Sequence, residues 1–128
     1  MAFLNGDPAI TIYIKPSQCR DVQGGDLSIL ATGAELLHEY THVVQYDRLG
    51  FTAFGKRYAA EFRASGYDAD RMYAFRSRGT NFDQEMIEGQ AAIVGRYAEQ
   101  IALDPSKRQQ DLIEDIRRRL RGTGIYGL

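Results

Sequence analysis

The chain has one cysteine, two histidines, three prolines and no tryptophan. Each shortage excludes something. With Cys19 alone no internal disulfide can form, which fits synthesis in a reducing compartment and leaves later export open. A lone cysteine of this kind reads as a buried or idle thiol rather than a ligand or nucleophile. No apolar run approaches the ~18 residues that a membrane helix needs. Residues 1–8 lack both a basic and an apolar region, so no Sec-type signal peptide is expected. Excess charge is missing as well: 16 Lys and Arg stand against 17 Asp and Glu, a net charge of −1. Neither a nucleic-acid nor a membrane partner is therefore expected, and the chain reads as cytoplasmic when synthesised.

What remains is an ordinary globular composition, 44% apolar and 26% charged, at a length that suits one domain over 1–128 with its own core. Both histidines fall in one stretch, His38-Glu39-Tyr40-Thr41-His42, which reads H-E-x-x-H. Histidines four apart on a helix stand one turn apart on the same face, so both imidazoles can reach one metal ion. Glu39, about 100° round the helix from His38, sits beside that metal. There it can take a proton from an activated water, the arrangement of a zincin metallopeptidase.

The elements around this stretch can be read from periodicity. Residues 9–14, Ala-Ile-Thr-Ile-Tyr-Ile, alternate in the manner of a short strand. A long helix is expected to begin either after an Asp26 cap or at the Thr32-x-x-Glu35 capping box, and to end at Gly50. Leu30, Ala34, Leu37, Thr41 and Val44 form its expected buried stripe, with His38 and His42 at the margin. A second helix spans 51–64, with Phe54, Tyr58, Ala59 and Phe62 as core residues. Residues 70–79 read as a solvated loop. A third helix spans 83–103, capped by Asp83. A fourth runs from Asp104-Pro105 to about Arg121 and buries Leu112, Ile113, Ile116 and Leu120. The cluster Arg117-Arg118-Arg119 suits a solvated helix C-terminus. The expected class is thus mainly α, an α+β zincin-like helical domain with a small N-terminal β element.

A catalytic zinc usually takes three protein ligands. There is no third histidine, and position 48 is Arg where the longer metzincin pattern would place one. The third ligand should be a carboxylate from another element, with Glu85 and Glu88 on the third helix as candidates. Gln45, three residues after His42, either hydrogen-bonds near the metal or packs. Tyr67, Tyr73 and Tyr126 are candidates to stabilise an oxyanion.

The stretch Leu37-His38-Glu39-Tyr40-Thr41-His42-Val43-Val44-Gln45 resembles the H-E-x-T-H-V-x-Q block of small bacterial zincin-like domains associated with Vgr- and Rhs-type secretion and toxin proteins. The stretch Ile87-Glu88-Gly89-Gln90-Ala91 is similar to their later E-x-Q-A helix, although Gly95-Arg96 stands where an acidic residue is common. The resemblance covers about residues 9–97 and implies the gluzincin ligand set of His38, His42 and Glu88 around Zn²⁺. Glu85, near the helix start, is then expected in an exposed first turn that suits an acid. The implied activity is peptide-bond hydrolysis in a protein or in peptidoglycan, with Glu39 as the catalytic base. Secretion-system components are the implied partners, and a specialised secretion system the implied route of export. At 128 residues the chain is small for a zincin with a second lobe. The alternative is a catalytically weak or inactive zinc-stabilised binding domain of such a system.

Overall fold

The H-E-x-x-H stretch lies in the middle of a twenty-residue helix, α1 (Leu30–Leu49). The computed structural model describes residues 30–128, with side chains from Gly33 onward. Gly50, at φ 78°, ends α1, and α2 (Phe51–Ala64) folds back at once. Two short helices follow, α3 (Ala69–Tyr73) and α4 (Phe75–Arg78). A single 3₁₀ turn at Phe82–Gln84 leads into α5 (Ile87–Ala102). A second 3₁₀ turn at Pro105–Lys107 precedes α6 (Gln110–Leu120), and a third at Ile125–Gly127 lies near the C-terminus.

The expected α+β class is corrected here. Among the described residues every regular element is helical and there is no strand. The site-bearing face of α1 is covered by another helix, α5, so no sheet is needed to bury it. The strand expected over 9–14, the Asp26 cap and Cys19 lie outside the described residues. The Thr32 capping box does not start α1, which is already helical at Leu30.

The centre of the fold is α5. Eleven of its sixteen residues are buried, the mark of a helix packed on several sides. One side meets α6 through Ile93, Val94 and Tyr97 against Leu112, Ile113, Ile116 and Leu120, with Phe75 and Phe82 closing the cluster. The other side meets α1. There Gly95 sets the approach: a Cβ at this position would stand 3.1 Å from the Ala34 carbonyl oxygen and 3.3 Å from His38 Cβ. The missing side chain lets the two backbones close to a distance at which His38 faces α5.

Several expected boundaries and burials shift. On α1, Ala34, Thr41 and Val44 are half-buried. Leu37 is 36% exposed, and Gln45 is buried. On α2 no residue is fully buried. The loop expected over 70–79 is two helical turns that bury Met72 and Phe75. The third helix begins at Ile87, four residues later than expected, because Glu85 takes an extended conformation. The fourth begins at Gln110, after a break at Arg108-Gln109. In the arginine cluster, Arg117 and Arg118 are exposed. Arg119 is buried, donating to Asp115 and to the Thr80 carbonyl, with its guanidinium over the Phe75 ring.

Candidate metal centre

One helical turn separates His38 from His42, and their rings lie 5.0 Å apart, edge to face. Glu88, in the first turn of α5, reaches across to both. Its Oε2 stands 3.3 Å from His38 Nε2 and 3.1 Å from His42 Nε2. All three donor atoms lie within 4.8 Å of one another. Metal–ligand bonds of roughly 2.0–2.2 Å at the tetrahedral angle put donor atoms about 3.3–3.6 Å apart. The Glu88–His38 spacing lies at the short end of that range and the Glu88–His42 spacing just below it. The donor set, two neutral imidazoles and one carboxylate, is chemically suited to a divalent cation of the zinc type. The histidines are half-buried and Glu88 is buried, so an ion held here would be partly screened from water.

The electrostatics point the same way. Burial pushes the Glu88 carboxyl up, but hydrogen bonds from His38 and His42 and their charges outweigh it and hold Glu88 far below the usual carboxylate range. For His42, burial works to lower the pKa; the hydrogen bond and charge of Glu88 overcome it, with help from Gln45 and Glu39, and the net shift is upward. Glu88 is therefore a carboxylate that draws positive charge to the Nε2 atoms, whether a proton or a metal ion supplies it.

Of the two carboxylates that the sequence offers, Glu88 joins the histidines and Glu85 does not. Nor does Glu85 sit in an exposed first turn. It is 1% exposed and lies outside the helix. Its carboxylate is held by Arg78, at 2.6–2.7 Å, by the Thr80 hydroxyl and by the Met86 N–H. A buried carboxylate needs such partners, and these are supplied by a chain segment that curls over it. The first turn of α5 is capped instead from α2: Glu61 Oε1 accepts from the Ile87 N–H at 2.6 Å, and Arg57 donates to the Glu85 carbonyl. The turn that carries Glu88 is thus fixed from outside its own helix.

A cleft of about 600 Å³ opens beside the cluster, lined among others by His38, Glu39, Tyr73 and Gly95. Glu39, one residue after His38, is half-buried on its wall. Of the three candidate tyrosines, Tyr73 is at the site, its ring 5.7 Å from that of His38. Burial, then the charge of Glu88, raise its hydroxyl to about 12, so it remains a donor across the working pH range. Tyr67 packs against Phe62, and the Tyr126 hydroxyl is committed to the Val94 carbonyl. The sequence reading overlooked Tyr58, whose hydroxyl is raised by burial and by the charge and hydrogen-bonding reach of Glu88. Its ring stacks on Phe54, which in turn meets His42 edge to face. The i, i+4 spacing of Phe54 and Tyr58 was visible in the sequence; their approach to a carboxylate thirty residues further on was not. At the point of departure from the family pattern, Gly95 serves the helix crossing and Arg96 pairs with Glu99.

No protein-family model, curated protein or solved structure matches this chain. The class is therefore defined by the site. The described residues are helical, and among them His38, His42 and Glu88 form a cluster able to hold a metal ion, in an arrangement consistent with that of zincins.

Proposed function

We propose that the chain is a zinc metallopeptidase domain of the gluzincin type, acting on peptide bonds of a protein or of peptidoglycan. The convergence of His38, His42 and Glu88 on one point carries this reading. Two histidines and a carboxylate are the protein ligands that hold zinc in open, catalytic sites. When bound, zinc polarises a carbonyl and lowers the pKa of water. Glu39 is the residue we assign to proton transfer. It lines the same cleft as His38, and its carboxylate takes the proton of the attacking water and returns it to the leaving amine. Tyr73, still protonated at working pH, supplies a hydrogen-bond donor on the same wall. The two short sequence blocks favour the secretion- and toxin-associated bacterial domains as relatives, with secretion-system components as partners. No described helix is long and apolar enough to cross a membrane.

The test combines metal content with a conservative variant. Purified protein should carry zinc near one equivalent by elemental analysis, and His38→Ala or His42→Ala should lose most of it. Glu39→Gln keeps the size of the side chain but cannot accept a proton. Its zinc content and thermal stability should be those of wild type, while hydrolysis of unfolded protein or peptidoglycan peptides falls by about 10²–10⁴. Full hydrolysis by Glu39→Gln would reject the mechanism. Bound zinc with no hydrolysis by wild type would favour a zinc-stabilised binding domain instead.

A further inference from the structure

Behind His42 runs a chain of hydrogen bonds whose direction is fixed by two backbone carbonyls. His42 Nδ1 is 2.8 Å from Gln45 Oε1. Gln45 Nε2 donates to the Ile87 carbonyl at 3.0 Å and to Gln90 Oε1 at 2.8 Å. Gln90 Nε2 donates to the Phe82 carbonyl at 2.8 Å. A carbonyl oxygen only accepts, so the nitrogen of each glutamine must face its carbonyl. Flipping either amide would set oxygen against oxygen. Gln45 Oε1 is then the atom that faces His42, and Nδ1 must carry the hydrogen. Nε2 faces the Glu88 carboxylate, which also only accepts; a cation that takes the place of the hydrogen there meets the Nε2 lone pair while Nδ1–H stays on Gln45.

We infer that Gln45 and Gln90 are positioning residues that lock His42 in its Nδ1–H tautomer and so present Nε2 to the metal. Both are buried, so their amides have little water to turn to and a broken link would leave polar groups unsatisfied. The anchoring carbonyls flank the start of α5, at Phe82 in the 3₁₀ turn and at Ile87 in the first helical turn. Gln45 is also the residue three on from His42 in the H-E-x-x-H helix. The relay therefore ties the second histidine on α1 to the same turn that presents Glu88, and it holds their spacing as well as the tautomer. Such partners behind a ligand are worth about 10–100-fold in metal affinity.

The inference rests on the metal reading of the site for its purpose, but its first test does not need zinc. In metal-free, ¹⁵N-labelled Glu88→Ala protein, where the competing acceptor at Nε2 is gone, long-range ¹H–¹⁵N correlations report which nitrogen of the neutral His42 ring bears the hydrogen. With Gln45 in place it should be Nδ1. Adding Gln45→Met should give mixed tautomers, and Gln45→Met alone should bind zinc ~10–100-fold more weakly than wild type in chelator competition. If position 45 variants fail to fold, Gln90→Met, which leaves Gln45 its bond to Ile87, should still weaken zinc several-fold through a looser amide. An Nε2–H ring in Glu88→Ala, or an unchanged tautomer and zinc affinity on Gln45→Met, would overturn the relay. An Nδ1–H ring in Glu88→Ala beside a wild type that takes up no zinc would leave the lock intact and reject the metal reading alone.

Discussion

At the scale of single residues, a proton and a metal ion compete for the space between His42 Nε2 and Glu88 Oε2. The His42 pKa is raised above 6.5, against the effect of burial, chiefly by Glu88. In the metal-free protein this pair contributes stability that is fully present below 6.5 and is lost as pH rises through the raised value. Glu88 is shifted down from 4.5, so its own contribution is present above 4.5 and is lost as pH falls through the lowered value. Zinc requires the neutral ring, so the sign reverses for binding. Zinc affinity should weaken on acidification from a pH already above 6.5, as a competition titration across pH would read. Glu88→Gln removes the main cause of the rise. His42 should then titrate at lower pH by NMR, and zinc should be held poorly. Glu85→Ala tests the other carboxylate. It strands Arg78 and should cost about 3 kcal/mol in a denaturant titration, while the folded fraction keeps His38, His42 and Glu88 together. The H-E-x-x-H spacing made the two histidines legible from local geometry alone. The resemblance of residues 87–91 already favoured Glu88 over Glu85; what the sequence did not carry was the chain segment that wraps Glu85, contributed by Arg78 and Thr80. A helical wheel treats both acids as residues of one helix, whereas Glu85 lies outside it.

At the scale of elements, the site is a crossing of α1 over α5, and Gly95 sets its depth. Gly95→Ala adds a methyl group that must push against the Ala34 carbonyl and His38 Cβ. Part of the cost is offset by better helix propensity. The net effect should be a loss of up to about 1–3 kcal/mol by thermal or denaturant unfolding. A weaker zinc affinity should accompany it, because the displaced atom belongs to a ligand. Equal stability and affinity in the variant would show that the crossing tolerates a Cβ. The bounds of α2 were legible, because Gly50 and the break after Ala64 are local signals, but its expected core did not form: Phe54, Tyr58 and Phe62 are half-buried and Ala59 is exposed. The start of α5 was not. Asp83 has the chemistry of a cap, but Glu61, from a different helix, satisfies the Ile87 N–H, and no local rule contains that contact. The same holds for the short helices after Asp68, where no local pattern signals the burial of Met72 and Phe75.

At the scale of the whole molecule, the metal would join the two halves of one crossing, so its removal should be felt globally. Chelation should lower the melting temperature by an amount that depends on free zinc, since a ligand at 100 times its Kd stabilises by about 2.7 kcal/mol. The same shift should be absent in His38→Ala. The small β element expected at the N-terminus has no counterpart among the described residues; α5 covers the site-bearing face of α1, and its apolar pattern is a property the sequence carries but whose partner the sequence does not name. Helix α2 closes the other flank without a single fully buried residue. It is attached by Arg57, Glu61, Phe54 and Tyr58, contacts that fall on the start of α5 or on the site itself. Such an element has little apolar surface to lose and opens at a lower free energy than the core it leans on. Its amides should therefore exchange with deuterium well before those of α5 and α6, and zinc should slow them. The domain would then respond to its ion as a latch does, tightening one flank while the interior stays as it was.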